Sequence, residues 1–269
     1  MIDDVVSEFR RTSPVSDWTT PMPATDDAAT TYQRVKGVAG RAAAGLMLFV
    51  FSPIILLCAG LVRLTSAGPS FYSQVRLGHC GRRFRIVKLR TMRYKCEAGT
   101  GAVWATAKDP RVTPVGRALR RLHLDELPQL WNIACGDMDF VGPRPERPEI
   151  VEKLLLDIPN FNDRLAIRPG LTGLSQVLQM ADTCIDSARR KLRFDLEYAR
   201  RESLWLDLRI MFGTALIIVG VKRPTVGRWL GLDSKPEAVK RPVQPVESIF
   251  DVPKDRPAAL CDSGFFGAI

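Results

Sequence analysis

Two adjacent carboxylates, Asp125 and Glu126, are the residues of this sequence whose types and spacing best suit chemistry on phosphorus. One carboxylate can act as a nucleophile toward a phosphoryl group while its neighbour holds Mg²⁺. The pair stands at the expected start of a helix that stops before Gly136, and a helix N-terminus favours anions. Local sequence alone favours another role for Asp125, as the N-cap of that helix with Pro128 in its first turn.

Three basic segments could supply the positive charge that a phosphorylated substrate needs. Lys88 and Arg90 alternate on a short expected strand, so both lie on one face, and two converging cations suit a diphosphate. Arg144 stands between two prolines that stiffen its backbone, and Arg168 precedes a Pro-Gly loop of a kind that can approach phosphate closely. The alternatives are a patch against anionic lipid for the first pair and a rigid surface turn for Arg144.

Composition narrows the partners and excludes several classes of protein. The 269 residues carry 39 Lys and Arg against 29 Asp and Glu, a net charge of +10, which indicates a polyanionic partner such as nucleic acid, anionic lipid or a phosphorylated substrate. Hydrophobic residues at 46% exclude a wholly disordered chain. With two histidines and no C-x-x-C spacing, a zinc site of the usual kind is excluded. Aromatic residues do not interleave with the basic run, so no nucleic-acid partner is expected.

An uncharged run from Ala42 to Val62 predicts a membrane helix, because it would reach about 30 Å, roughly the thickness of the hydrocarbon core. Both flanks are basic, and residues 28–96 contain no acid, so the positive-inside rule places both ends in the cytoplasm. Ser52 and Pro53 at the centre predict a kink, with the serine hydroxyl serving a carbonyl that proline leaves free. A hairpin within one leaflet fits these features. A kinked true span and a buried core helix are the alternatives.

The chain divides into four segments on composition. Residues 1–33, rich in Ser, Thr, Pro and Asp, predict a flexible tail, and residues 34–64 a membrane helix-break-helix. Residues 65–223 have the size of one catalytic domain, and residues 224–269 form a second, proline-rich tail.

The expected fold is α+β, mostly helical, with a small β-hairpin. Short alternating runs at 70–76 and 83–89 predict the hairpin. Helices are expected over 125–135, 148–156 and 187–201, with an interfacial or core helix in 203–221.

Taken together and in order, these motifs resemble the bacterial sugar transferase family, the monotopic phosphoglycosyl transferases that start exopolysaccharide, O-antigen and glycoprotein glycan assembly. The resemblance extends from about Arg34 to Val221. Its motifs are Ser52-Pro53, Gly68-Pro69, KLRTM at 88–92, DPRVTPVG at 109–116, LDELPQ at 124–129, GDM at 136–138, VGPRP at 141–145, RPGLTG at 168–173 and FDLEY at 194–198.

The resemblance implies a two-step transfer of a phosphosugar. A UDP-sugar binds with Mg²⁺, Asp125 attacks the sugar-bearing phosphate, UMP leaves, and polyprenyl (undecaprenyl) phosphate then takes the phosphosugar from the enzyme. Glu126 matches the Mg²⁺-binding position. Four basic residues of these motifs are assigned to binding the substrate phosphates: Lys88, Arg90, Arg144 and Arg168. Asp195 and Tyr198 belong to the FDLEY motif at 194–198, to which no role is assigned.

The resemblance also implies a re-entrant helix broken at Ser52-Pro53 and a place on the cytoplasmic face of the bacterial inner membrane, in contact with its lipid. His123-Leu124, Asp139-Phe140 and Leu174-Ser175 depart from the common pattern and put the sugar specificity in doubt. The sugar, the pathway and the oligomeric state stay open, a homodimer among the alternatives. The competing hypothesis from another class is a non-catalytic membrane scaffold that recruits polysaccharide-assembly partners.

Overall fold

A long N-terminal helix lies along a small mixed domain in the computed structural model, which describes residues 27–96, 109–180 and 184–232. The helix, α1, spans Asp27–Thr65 and thus begins before the membrane segment expected from residue 34. The rest of the predicted N-terminal tail and residues 233–269 of the predicted C-terminal tail lie outside the described residues.

The centre of α1 accommodates a proline. Pro53 has no N–H to donate to the carbonyl of Phe49 one turn earlier, and the Ser52 hydroxyl donates to that oxygen instead, at 2.7 Å. The predicted use of the serine is therefore confirmed. Residues on both sides of Pro53 are helical, and the re-entrant path expected at Ser52-Pro53 stays a prediction. Residues 31–65 form a helix that is long and apolar enough to cross a membrane.

The two faces of α1 differ between Ala44 and Leu64. Ala44, Cys58 and Val62 are at most 5% exposed and pack on the domain. The opposite face exposes large apolar side chains: Leu46, Phe49, Val50, Leu57 and Leu64. A continuous exposed apolar surface of this kind is typical of contact with lipid or with another protein.

The predicted β-hairpin is confirmed. β1 (Phe71–Leu77) pairs antiparallel with β2 (Arg83–Leu89), and Phe71 lies opposite Leu89 at the open end. β2 carries Ile86 and Leu89 into the core beneath α1, while Lys88 points toward a cavity.

Helices make up most of the remaining domain. They are α2 (Pro114–Arg121), α3 (Gln129–Cys135), α4 (Pro148–Asp157), α5 (Leu174–Leu178), α6 (Ile185–Arg201), α7 (Leu204–Ile218) and α8 (Arg223–Trp229). The helices expected at 148–156, 187–201 and 203–221 are found as α4, α6 and α7. α8 lies past the predicted domain end at residue 223, and its fully buried Val226 shows that the packed domain continues into it.

A second, parallel pair of short strands joins β3 (Asp139–Val141) to β4 (Gly170–Thr172) and was not predicted. The two strands approach so closely that a Cβ on Gly170 would lie 2.0 Å from the backbone nitrogen of Gly142. The Pro-Gly loop that sequence analysis associated with phosphate therefore uses its glycine for backbone packing, and this packing fixes the loop that carries Arg144.

Candidate active site

The acidic pair lies in a short 3₁₀ turn, Leu124–Glu126, that precedes α3. His123, immediately before the turn, has left-handed backbone geometry with φ 54°. The helix expected from residue 125 begins only at Gln129, with Pro128 in the N-cap position. The N-cap interpretation of Asp125 is therefore wrong, because the chain makes a 3₁₀ turn at the two carboxylates and the following helix is capped by Pro128.

Two cations hold Glu126. Lys88 Nζ donates to Glu126 Oε1 at 2.8 Å, and Arg144 Nη2 donates to the same oxygen at 2.6 Å. Burial alone would raise the pKa of Glu126, but Arg144 and Lys88 together hold it well below its ordinary value. Glu126 in turn raises the pKa of Arg144. At neutral pH Glu126 is thus ionised and fixed between β2 and the loop after β3.

Asp125 has a contrasting environment. The residue is only 8% exposed, yet its carboxylate makes no hydrogen bond or ion pair with the described part of the chain. Burial raises its pKa, and the charge of Glu126 adds to the effect. Three cations act in the opposite direction: Lys88, Arg120 and Arg144. A buried, unengaged carboxylate surrounded by cations is suited to attack an electrophile that carries negative charge.

We refer to the 3₁₀ turn Leu124–Glu126 as the acid turn. The side-chain amide of Asn132 attaches α3, the helix after the acid turn, to the hairpin. Its Oδ1 accepts from the Val87 N–H at 3.0 Å, and its Nδ2 donates to the Arg85 carbonyl at 2.7 Å. β1 pairs with the other edge of β2, so this amide satisfies backbone groups on the free edge. Lys88 is thereby held near Glu126. Sequence analysis missed Asn132, and the available signal was a polar residue within the apolar run of α3.

A cavity of about 650 Å³ opens over the acidic pair. Its basic lining residues are Arg76, Lys88, Arg90, Arg93, Lys95, Arg111, Arg120, Arg144 and Arg147. The acids in the lining are Asp125, Glu126 and Glu146. This surplus of positive charge in a concave site attracts a polyanion of the size of a nucleoside diphosphate. We refer to this space as the cationic cavity.

Arg120 belongs to the cationic cavity, although sequence analysis did not single it out. Its Nε donates to Thr91 Oγ1 at 2.8 Å, which fixes the guanidinium. α2 is itself capped by Thr113, whose hydroxyl accepts from the Gly116 N–H at 2.9 Å. The available signal was the basic last turn of α2, where Arg120 and Arg121 follow each other.

Comparison with known proteins identifies the family. Residues 31–221, more than two thirds of the chain, match the family described as Bacterial sugar transferase. The chain belongs to the bacterial sugar transferase family. The match confirms the resemblance drawn from the motifs and covers α1, the acid turn and both loops that bring cations to the domain.

Named members of the family are similar to this sugar transferase. It is 42% identical over 174 residues to the UDP-glucose:undecaprenyl-phosphate glucose-1-phosphate transferase of Caulobacter vibrioides, covering 64% of this chain and 65% of that protein. It is 41% identical over 177 residues to the UDP-N-acetylgalactosamine-undecaprenyl-phosphate N-acetylgalactosaminephosphotransferase of Aeromonas hydrophila, covering 66% and 42%. The exopolysaccharide production protein ExoY of Sinorhizobium fredii is 40% identical over 183 residues, covering 63% and 78%. The chain spans less than two thirds of the first two proteins.

Arg90 of this sugar transferase is engaged elsewhere than at the acidic pair. It is 5% exposed and donates to the carbonyls of Ala67 at 2.5 Å, Ser66 at 2.9 Å and Gly68 at 3.2 Å. These carbonyls follow the C-terminus of α1, where a cation is favoured. Arg90 borders the cationic cavity, and its guanidinium fastens the end of α1, so its contact with a substrate phosphate stays a prediction.

Arg168 is also placed away from the acidic pair. Its Nη1 lies 3.9 Å from Asp139 Oδ1 and so close to α1 that a Cβ on Gly37 would be 2.5 Å from it. Arg168 lines neither of the two cavities described for this chain. The structure therefore places it at the interface between α1 and the domain, and the predicted phosphate contact stays a prediction.

Asp195, which had no assigned role, supports the loop that carries Arg144. Its Oδ2 accepts from Arg164 Nε at 2.8 Å and pairs with Arg164 Nη2 at 2.7 Å, and its Oδ1 accepts from Ser175 Oγ at 2.7 Å. Arg164 Nη2 also donates to the Arg144 carbonyl at 2.8 Å. Asp195 and Arg164 are each 1% exposed. The buried pair therefore positions the backbone of a residue that contacts Glu126.

Tyr198, from the same FDLEY motif as Asp195, joins α1 to the domain. Its hydroxyl donates to Asp207 Oδ1 at 2.6 Å and accepts from Lys36 Nζ at 2.6 Å. Lys36 also pairs with Glu202 at 2.7 Å and with Asp207 Oδ2 at 3.1 Å. Burial and the nearby Asp207 raise the pKa of Tyr198, so the phenol stays protonated. This cluster fixes the first half of α1 to the α6–α7 junction.

The acidic pair also fits the expected Mg²⁺. Among the described residues, no group of three or more His, Cys, Asp or Glu side chains is placed to hold a metal ion. Mg²⁺ at nucleotide sites is usually bound by one or two carboxylates together with substrate phosphates, and such a site needs no third protein ligand. Glu126 Oε1 is taken by two cations, whereas Oε2 has, among the described residues, a single contact of 3.5 Å with Arg144 Nη1. Oε2 is therefore the oxygen open to a metal ion.

Proposed function

We propose that this sugar transferase moves a phosphosugar from a UDP-sugar to polyprenyl phosphate and releases UMP. The observation that carries the proposal is the contrast within the acidic pair: Glu126 is fixed by two cations, whereas Asp125 is buried and unengaged beside them. The printed names of the Caulobacter and Aeromonas relatives describe transfers of this type from UDP-glucose and from UDP-N-acetylgalactosamine.

In the first step, a carboxylate oxygen of Asp125 attacks the phosphorus that carries the sugar. The bond from that phosphorus to the bridging oxygen breaks, and UMP leaves with the electron pair. In the second step, a phosphate oxygen of the polyprenyl phosphate attacks the same phosphorus. Asp125 leaves as a free carboxylate, and the product is polyprenyl-diphospho-sugar. Two in-line displacements of this kind need mainly positioning and charge stabilisation.

The cations around Asp125 serve both steps. Arg144 carries a guanidinium that can donate to two phosphate oxygens at once, while Lys88 supplies a point charge at the same carboxylate. Arg120 adds charge from α2. Glu126, with Oε2 open, would hold Mg²⁺ together with the substrate phosphates, and the ion would offset their negative charge.

The proposal includes a re-entrant topology at the cytoplasmic face of the bacterial inner membrane. Near its start, α1 is attached to the domain through Lys36, and near its end Ser70 Oγ donates to the Ala59 carbonyl at 2.8 Å. One domain lies on one side of a bilayer, so both ends of the apolar segment belong to the same side. The basic flanks place that side in the cytoplasm, with Ser52-Pro53 deepest in the lipid.

The experiment that tests the function is a screen of UDP-sugars with the full chain in lipid nanodiscs. We expect UMP release with at least one UDP-sugar, dependent on polyprenyl phosphate for turnover and abolished by EDTA. Absence of UMP with glucose, galactose and their N-acetylamino derivatives as donors would contradict the proposal. Retention of full activity in EDTA would remove Mg²⁺ from it.

A further inference from the structure

A second cavity, of about 540 Å³, also borders the acid turn. Nine of its nineteen lining residues are apolar, among them Leu122 and Leu127 around the acid turn, Leu171 in β4 and three residues of α7. The polar ones include Ser175, Gln176 and Gln179. Met211, Thr214, Ile217 and Ile218 line it from α7, spaced so that they share one face of that helix. We refer to this space as the apolar cavity.

The apolar cavity and the cationic cavity meet at the reacting groups. His123, Glu126 and Arg144 line both spaces, and no other residue is shared between the two sets of lining residues described. Asp125 lines the cationic cavity and is adjacent in sequence to the shared Glu126. A molecule that fills the apolar cavity can therefore bring one end to the phosphate-binding cations without passing through the cationic cavity.

The chemistry of the apolar cavity fits a long hydrocarbon with one charged end. Its volume is in the range of about 300–1,000 Å³ typical of ligand sites. Met211, Ile217 and Ile218 of α7 contribute apolar wall, and the adjacent face of that helix is exposed and apolar at Leu204, Leu208 and Phe212, as expected of a helix beside lipid. The positive charge of the apolar cavity comes from Arg144, where the two cavities meet, and from Lys191 and Arg223.

We propose that the apolar cavity binds the isoprene units next to the phosphate of polyprenyl phosphate and delivers that phosphate to the acid turn beside Arg144. This inference rests on the function proposed above and adds to it the path of the acceptor. The nucleotide sugar and the lipid then reach Asp125 from different sides of one turn. Departure of UMP through the cationic cavity leaves the acceptor in place.

Photo-crosslinking tests the location directly. The full chain in nanodiscs is irradiated with a polyprenyl phosphate that carries a diazirine near its phosphate end, and the labelled peptides are mapped. We expect label on the α7 peptide that contains Met211 and Ile217, competed by unlabelled polyprenyl phosphate and not by UDP. Label confined to other peptides, or α7 label that the unlabelled lipid does not displace, would overturn the inference.

Kinetics of a blocked cavity give the second test. Ile217→Trp and Met211→Trp each add a bulky ring on the lining face of α7, and using both guards against one of them failing to fold. We expect the KM for polyprenyl phosphate to rise tenfold or more. The amplitude of the single-turnover UMP burst without acceptor counts the folded sites. Leu156→Trp is the matched control, because Leu156 is 84% exposed on α4 and lines neither cavity.

The outcomes separate this inference from the proposed function. An unchanged acceptor KM in both tryptophan variants, with a normal UMP burst, overturns the apolar cavity as the acceptor site and leaves the reaction intact. A wild-type chain that gives no burst contradicts the reaction, and the crosslinking result then decides the lipid site by itself.

Discussion

Replacement of Asp195 by Asn tests how strongly one buried ion pair supports the site. Asp195 lies between Arg164 and Ser175, and both of its oxygens are used: three polar contacts of 2.7–2.8 Å reach it. Asp195→Asn keeps the size of the side chain but removes its charge. The guanidinium of Arg164, 1% exposed, then lacks its counter-ion.

The expected cost is large because no solvent reaches the pair. Removal of one partner of a buried ion pair typically costs about 3–5 kcal/mol, since the remaining charge is left uncompensated. For a domain of this size each kcal/mol lowers Tm by roughly 2–4 °C, so a fall of roughly 6–20 °C is expected. Arg164 also donates to the Arg144 carbonyl, so the protein that remains folded should lose UMP release as well.

Thermal unfolding in detergent, with and without the substitution, measures this cost. Asp186→Asn is the matched control on the same helix, α6. Asp186 lies 3.9 Å from Arg189, the two side chains are 84% and 55% exposed, and surface pairs of this spacing contribute only about 0.2–0.5 kcal/mol. An Asp195→Asn variant that melts within 2 °C of the Asp186→Asn variant would refute the argument from the buried pair.

Two further predictions concern the acid turn and its packing. The pKa of Asp125 is raised by burial and by Glu126 and lowered by Lys88, so the rate of UMP release should increase with pH through this raised pKa. Lys88→Met should move that acid limb to higher pH, and an unmoved or lowered limb in the pH–rate profile would contradict the assignment. Gly116→Ala places a Cβ 2.1 Å from the backbone oxygen of Thr91 and should cost roughly 1–3 kcal/mol in urea unfolding. Gly45→Ala, on α1, is the control: its added Cβ has no atom within 4 Å, so the free energy of unfolding should not fall.

The motif residues that converge on one carboxylate could be predicted from the sequence. Lys88, Arg144 and Glu126 come from three separate motifs, and the structure joins them in two ion pairs. The hairpin and three helices followed from periodicity and turn signals. The hairpin and these helices depend on the local conformational preferences of their residues, and tertiary packing did not override those preferences.

Where a side chain lies elsewhere than the sequence suggested, a distant part of the chain or a local turn decided its position. Alternation would keep Arg90 on the face of Lys88 only in a continuing strand, but β2 ends at Leu89 and the guanidinium turns toward the end of α1. Arg168 is placed by the close approach of Gly37 on α1. The cap rule for Asp125 assumed that the helix starts directly after it, but a 3₁₀ turn holds the acids and the helix begins only after Pro128.

The buried polar residues were beyond sequence reasoning for a different reason. Asn132 satisfies the free edge of β2, and Arg164 pairs with Asp195, which is 31 positions away. Each looks locally like an ordinary helix or turn residue. Their roles depend on partners that only the fold brings within hydrogen-bonding distance.

The central claim is that the carboxylate of Asp125 becomes bonded to the phosphorus of the sugar phosphate. Intact mass spectrometry after incubation with the UDP-sugar alone, followed by peptide mapping, tests it most directly. The account predicts one added sugar phosphate on Asp125, lost when polyprenyl phosphate is added and absent in Asp125→Asn. Asp186→Asn, at a carboxylate whose side chain is 84% exposed, should form the adduct normally. UMP release with no mass added to Asp125, or an adduct that persists in Asp125→Asn, would contradict the account.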